Sequence, residues 1–344
     1  MIGILGAGSW ATAMVKIVSN NAPHINWWAR KQETIDHIKK YRHNPNYLSD
    51  IELPVEKITM YTHLKEVIAN SDILLIAVPS AFMSESFKGL AKDDFKGKMI
   101  FSLIKGTLPD KKLMVSQYFN EHFEVPLTSF GMIAGPCHAE EVALEKLSYL
   151  TVACSNQANA EKMAGLLSCR YIKASTSNDM QGIEYSAALK NIYAVASGIC
   201  HGLGNYGDNF QAVLVANAIQ EISRFINTAS PIPHPPSPSM GRRGQAQGMR
   251  DTNLSAYLGD LLVTAYSQFS RNRMLGSMLG KGYSVKYAQM EMNMVAEGYY
   301  AVKTIYTLNQ NYKVEMPICD AVYRILYEKM SPSVEIRLLS ERLA

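Results

Sequence analysis

The stretch "GILGAGSWATA", residues 3–13, constrains this chain more than any other. Gly6-x-Gly8-x-x-Ala11 directly follows the apolar run at 2–5 and opens a helix-like segment from Ser9 to about Asn20. At a strand–turn–helix junction each small residue has a task. The first makes the tight turn, the second lets backbone approach a pyrophosphate, and the third lets the helix pack close to the strand. The free N–H groups at the helix start then face the phosphates. A chain that begins this way is expected to build a parallel α/β sheet and to hold a dinucleotide.

The rest of the first half keeps the alternation that such a sheet needs. "INWWAR" at 25–30 reads as a strand and the residues around Gln32 to Lys40 as a helix. "DILLIAVP" at 72–79 is an unbroken apolar run closed by proline, the mark of a strand buried on both faces. "MIFSLIKG" at 99–106, "FGMIAGP" at 130–136 and "LTVACS" at 150–155 add further strands. Strands separated by helical stretches predict parallel β-α-β units in a doubly wound sheet. Beyond about residue 180 the pattern turns helical. "DMQGIEYSAALKNIYAVASGICHGL" places Ile183, Ala187, Lys190 and Ala194 at helical spacing, and 209–226 and 284–310 also read as helix. The predicted organisation is a dinucleotide-binding domain at 1–180 and a helical substrate domain at 181–344. The proline- and glycine-rich segment 230–250 cannot be helix or central strand and is read as an exposed loop within the second domain.

Bulk composition excludes several alternatives. A chain of 344 residues with 47% apolar content can bury a sizeable core in two domains. The net charge is +4, and its 34 basic residues form no stripe, so a nucleic-acid partner is not expected. A mildly positive protein suits small anionic ligands. The five cysteines, at 137, 154, 169, 200 and 319, include no C-x-x-C pair. Neither a disulfide framework nor a metal site is expected, and a reducing cytoplasm fits. No leader precedes the first strand, and the longest apolar runs are strand-length, so no targeting or membrane segment is expected.

Several polar residues stand where chemistry could occur. Trp28-Ala29-Arg30-Lys31 occupies the end of the second strand, where an acid would favour a free ribose hydroxyl. Two cations there suit a 2′-phosphate and favour NADP, although an arginine stacked on adenine leaves NAD open. Lys105 closes a buried strand, either at the ligand edge of the sheet or as a solvated terminus. Gly135, Pro136, Cys137 and His138 follow another strand. Cys137 reads as a small polar liner or packing group, His138 as a ligand contact or a structural imidazole. Lys190 lies among small apolar residues, where lost solvation lowers a lysine pKa and readies it for acid–base work; the alternative is a lysine snorkelling to water. "GDLLVTAYSQFSRNRMLG" sets Asp260 ten residues ahead of Ser270-Arg271-Asn272-Arg273. That knot of cations and polar groups is either a solvated turn or a seat for a small anion.

Taken in order, Gly6-Ala7-Gly8-Ser9-Trp10-Ala11, Lys105-Gly106, Gly135-Pro136, Leu189-Lys190-Asn191, Gly259-Asp260-Leu261, Ser270-Arg271-Asn272 and Val295-Ala296-Glu297-Gly298 resemble the bacterial-type NAD(P)-dependent sn-glycerol-3-phosphate dehydrogenases over nearly the whole chain. The resemblance implies a Rossmann-type doubly wound sheet followed by a mostly α-helical domain. It also implies a cytoplasmic enzyme that reduces dihydroxyacetone phosphate with NADPH or NADH and supplies glycerophospholipid synthesis. Residue by residue, it implies cofactor contacts at Gly6, Gly8, Ser9, Trp10, Arg30, Lys105, Ala139, Arg271, Val295 and Glu297. It implies substrate contacts at Lys105, Gly135, Cys137, Lys190, Asn191, Asp260, Ser270, Arg271 and Asn272. Lys190 would be the proton donor and acceptor, Asp260 its ionic partner, and Lys105 an aid in polarising the carbonyl. Two departures stand out. Cys137-His138 replaces the usual serine and aromatic, and "NLSAYLGDL" lacks the glycine-rich approach to Asp260. Competing readings are a related dehydrogenase for another hydroxy acid and a regulatory dinucleotide sensor. A homodimer is compatible with such folds.

Overall fold

The structure is a computed structural model that describes residues 1–230, 250–292 and 295–343. It contains two compact units, Met1–Met180 and Gln181–Ala344. The first carries eight strands: β1 (Ile2–Leu5), β2 (Ile25–Trp28), β3 (Ile58–Tyr61), β4 (Ile73–Ile76), β5 (Met99–Ser102), β6 (Phe130–Ala134), β7 (Ser148–Cys154) and β8 (Ile172–Ser177). Its helices are α1 (Ser9–Val18), α2 (Gln32–Tyr41), α3 (Leu64–Ala69), α4 (Met83–Ser86), α5 (Val115–Phe123), α6 (Ala139–Ala143) and α7 (Gln157–Leu167).

All eight strands form one sheet in the order β3-β2-β1-β4-β5-β6-β7-β8. The order reverses between β1 and β4, and an open α/β sheet presents its ligand crevice beyond the carboxyl ends of the strands at such a point. β1 and β4 are buried along their full length, as their continuous apolar runs require. Two strands escape the apolar-run criterion. β3 is half-exposed at one edge of the sheet and β8 is polar at the other, so neither needs a continuous apolar run. The sheet is mostly parallel, as the β-α-β alternation predicts, with one pair of neighbours that is not. β6 and β7 are antiparallel, while β7 and β8 are parallel to each other. An apolar run records burial, not direction, and the connection through the short α6 lets the chain reverse.

The second unit is helical, and among its described residues there is no strand. It comprises α8 (Met180–Leu203), α9 (Asp208–Ala229), α10 (Asp260–Tyr266), α11 (Arg271–Gly280), α12 (Val285–Glu291), α13 (Glu297–Tyr312), α14 (Pro317–Tyr327) and α15 (Pro332–Ser340). α8 is buried on every side from Gly182 to Cys200, so it is the central helix around which the others pack. α11 approaches α8 closely enough that a Cβ at Gly276 would stand 2.0 Å from the Val195 carbonyl oxygen, and one at Gly198 2.1 Å from that of Arg273. The continuous helix expected over 284–310 is instead two, α12 and α13. The backbone is extended at Met292 and again at Ala296, although apolar spacing runs on across the break. The expected loop 230–250 lies outside the described residues except at its two ends. There the buried Arg250 guanidinium donates to the Ile226 carbonyl at 2.9 Å and to Ser230 Oγ at 3.3 Å.

Candidate active site

In the first unit the glycine loop joins β1 to α1. Gly6 adopts φ +129°, and a Cβ there would lie 2.7 Å from the Ala77 carbonyl oxygen just beyond β4. Only glycine is tolerated at that position, because L side chains rarely take this conformation and the space is filled. Gly8 differs. It is the N-cap of the ten-residue α1, and a Cβ would meet nothing within 4 Å. Its surroundings are therefore open on the side where an added atom would project. No side chain caps the helix, so its first N–H groups keep their capacity for an anion. Ala11 is fully buried where α1 meets the sheet. A tight turn, an open approach and an uncapped helix start together fit the pyrophosphate of a dinucleotide. Ser9 is buried at the first helical position. Trp10 is half-buried, with its indole N–H buried and without a hydrogen-bond partner among the described residues. Arg30 is exposed just beyond β2.

At the β5 and β6 ends a second group converges. Lys105 Nζ donates to the Gly135 carbonyl at 2.9 Å, and the Cys137 thiol donates to the same oxygen at 3.3 Å. Gly135 has φ +121°, with the Tyr149 carbonyl oxygen 2.6 Å from where a Cβ would be. Lys105 is half-buried. His138 is the N-cap residue of α6, and Ala139 is its buried first residue.

In the second unit Lys190 is only 4% exposed and does not snorkel. Its ammonium donates to Asp260 Oδ1, the carboxylate being 1% exposed by side chain, and to Thr264 Oγ1 at 3.0 Å. Asp260 and Thr264 sit one turn apart on α10, so both face α8. Thr264 was not among the expected site residues, although its four-residue spacing from Asp260 could have disclosed it. The approach to Asp260, which lacks the glycine-rich stretch, is a π-helical turn, Ser255–Gly259, running straight into α10. Such turns widen the helix and recur beside functional residues. Farther along α8, Ser197 Oγ lies 2.9 Å from the Ala265 carbonyl oxygen and 2.8 Å from Gln211 Oε1, and its single proton is shared between them. This pins α10 and α9 against the same face.

The polar knot is the start of α11. Ser270 is its N-cap and accepts the Arg273 N–H at 3.3 Å; Arg271 is the first helical residue and half-buried. Asn272 is buried. Its Nδ2 donates to Asn191 Oδ1 at 2.8 Å, and its Oδ1 accepts the Gly298 N–H at 2.8 Å. One amide thus ties α8, α11 and the first turn of α13, where Glu297 is the opening residue and half-buried Val295 precedes it. Gly298 permits this, since a Cβ would lie 2.5 Å from the Asn191 carbonyl oxygen. Among the expected site residues, the structure brings Lys190 to Asp260, Asn191 to Asn272, and Lys105 and Cys137 to Gly135.

A second buried acid reinforces α8. Glu221 of α9 accepts the Ile318 N–H at 2.7 Å, the Cys319 N–H at 3.3 Å and the Tyr193 hydroxyl at 3.1 Å. It caps α14, whose own N-cap, Met316, supplies no side-chain hydrogen bond. Burial outweighs these bonds and holds the carboxyl up at about 7. Burial also pushes the Tyr193 hydroxyl well above its ordinary value.

A sheet with its order reversed beside a glycine loop, followed by a helical unit with a buried lysine–carboxylate pair, defines a dinucleotide-dependent oxidoreductase with a Rossmann-type first unit. Sequence comparison narrows this class. The N-terminal profile of the NAD-dependent glycerol-3-phosphate dehydrogenases matches residues 1–160 and the C-terminal profile matches 179–337. The glycerol-3-phosphate dehydrogenase [NAD(P)+] of Bacillus pumilus is 35% identical, over 97% of this chain and 92% of its own. That of Staphylococcus epidermidis is 34% identical, over 99% and 98%. The crystal structure of glycerol-3-phosphate dehydrogenase from Coxiella burnetii superposes with a TM-score of 0.85 at 27% identity, covering 99% of this chain and 98% of that one. The chain belongs to the NAD-dependent glycerol-3-phosphate dehydrogenase family.

Proposed function

We propose that this enzyme reduces dihydroxyacetone phosphate to sn-glycerol 3-phosphate with NADPH or NADH, and that the product supplies glycerophospholipid synthesis. The observation that carries the reading is the buried Lys190–Asp260–Thr264 cluster, because buried ionisable pairs are costly to keep and cluster at functional sites. Gly6, Gly8, Ser9, Trp10, Arg30, Ala139, Val295 and Glu297 would hold the cofactor. Bound nicotinamide supplies the hydride. As charge grows on the substrate C2 oxygen, the Lys190 ammonium donates its proton there, and Asp260 favours the charged form beforehand. Lys105 polarises the same carbonyl, with Gly135 and Cys137 lining its surroundings. Arg271 offers a planar pair of donors that matches phosphate geometry, at a helix start that already favours an anion. Ser270, Asn272 and Asn191 set the arginine's frame and complete the substrate contacts. The basic Arg30-Lys31 pair favours NADP over NAD. The proposed location is the cytoplasm. No helix among the described residues is long and apolar enough to cross a membrane. The homodimer remains part of the proposal.

Cofactor oxidation with dihydroxyacetone phosphate tests the reading. Lys190→Ala should lower kcat by about 10²–10⁴-fold, the usual worth of general acid catalysis, with cofactor affinity kept. Arg271→Ala should act chiefly on the KM for dihydroxyacetone phosphate, and less on dihydroxyacetone itself. Wild-type turnover that ignores the phosphate, or a Lys190→Ala enzyme as fast as wild type, would remove this substrate and mechanism.

A further inference from the structure

The glycine loop presents its carbonyl groups in an order that sequence motifs do not encode. Three consecutive carbonyls each accept from a fully buried side chain. The Trp27 indole N–H of β2 donates to the Gly6 oxygen at 2.6 Å. Asn44 Nδ2, from the segment beyond α2, donates to the Ala7 oxygen at 3.1 Å. Thr12 Oγ1 donates to the Gly8 oxygen at 2.9 Å, where the Thr12 N–H also binds. The three donors are not independent. Asn44 Nδ2 also donates to Thr12 Oγ1 at 2.8 Å, and Asn44 Oδ1 accepts the Asn46 N–H at 3.0 Å, which fixes which way the amide points.

Among the described residues, which include this loop, the peptide bonds are trans. In a planar trans peptide the C=O and the N–H point in opposite directions. Holding the oxygens of Gly6, Ala7 and Gly8 on these buried donors therefore turns the N–H groups of Ala7, Gly8 and Ser9 away from them. We propose that Trp27, Asn44 and Thr12 are positioning residues for the cofactor: they lock three successive peptide planes so that the loop meets a pyrophosphate with its N–H groups already aligned. Donors that need no reorientation on binding cost less to engage. Asn44 is the keystone, since its one amide serves the loop and the helix together. The inference rests on the reading that this loop binds NAD(P)H.

The test uses Thr12→Val, which keeps shape and loses the hydroxyl, Thr12→Ser, which restores it, and Asn44→Ala. Dissociation constants for NADPH and NADH are read by fluorescence, KM for dihydroxyacetone phosphate by turnover, and folding by thermal midpoint. The expected result is that Thr12→Val and Asn44→Ala weaken NADPH binding by about five- to tenfold, the scale of one lost hydrogen bond or more. Thr12→Ser should recover most of it, and KM for dihydroxyacetone phosphate should move less. Unchanged NADPH affinity in both variants overturns the proposal. So does a loss in Thr12→Val that tracks the thermal midpoint and is not rescued by Thr12→Ser. A wild-type chain that binds neither cofactor overturns the dinucleotide reading itself, and this inference with it.

Discussion

The glycine loop of the first unit and the α8–α10–α11 face of the second are built from different materials. In the loop the groups proposed to meet a ligand are backbone N–H groups, and the buried side chains Trp27, Asn44 and Thr12 hold the carbonyls of the same peptides. In the helical unit the proposed chemistry rests on side chains, Lys190 on Asp260 and Asn191 on Asn272, and the backbones serve as the frame. Backbone groups demand small residues close together in sequence, which is why the loop reads as a motif. Side-chain pairs demand only proximity in space. Lys190 and Asp260 are 70 residues apart and Asn191 and Asn272 are 81 apart. At Gly8 the local motif is therefore tolerant in stability and strict in ligand approach, whereas Gly6 and the buried polar pairs are strict in stability as well.

That contrast can be broken most decisively at Asp260. Asp260→Ala takes the carboxylate from a buried ammonium, and the chain should lose about 3–5 kcal/mol in urea unfolding. The double variant Asp260→Ala/Lys190→Ala should recover part of that loss. A single variant within ~1 kcal/mol of wild type would mean that the pair is not a stability determinant.

Glu221 sharpens the comparison through pH. Its folded carboxyl titrates at about 7, against an ordinary value of 4.5. Between those values the folded state keeps a proton that the unfolded chain has released. The stability it brings is full below about 4.5 and is lost as pH rises to about 7, on the order of 3 kcal/mol in all. Glu221→Gln has no such proton, so its stability should fall less across the same window. Parallel wild-type and variant pH profiles would show that burial does not raise this group.

The smallest expected effect on stability falls in the loop. An added Cβ at Gly8 meets nothing within 4 Å, and the residue has φ −80°. Gly8→Ala should leave the thermal midpoint of the ligand-free chain nearly unchanged, within about 0.5 kcal/mol. It should nonetheless weaken NADPH binding, because the methyl group projects into the space proposed for the pyrophosphate. A large stability loss with normal cofactor affinity would reverse the distinction between the two regions.

Sequence by itself determined the strands with unbroken apolar runs, the glycine loop and the helical character of the second half, and left Lys190 between burial and snorkelling. Each follows from a local rule: apolar continuity for strands buried on both faces, small residues for close backbone approach, and 3.6-residue spacing for a buried helix face. The family resemblance added Asp260 and the α11 residues, which no local rule would have joined to Lys190. Tertiary structure alone decided the rest. It reversed β7 against β6, since hydrophobicity carries no direction. It made strands of the half-exposed Ile58–Tyr61 and the polar Ile172–Ser177, because an edge strand is held by a neighbour's hydrogen bonds more than by its own burial. It interrupted the apolar periodicity between α12 and α13. It also placed Thr264 on Lys190 and Asn44 beneath the glycine loop, because a buried donor's partner is chosen by the packing of elements distant in sequence.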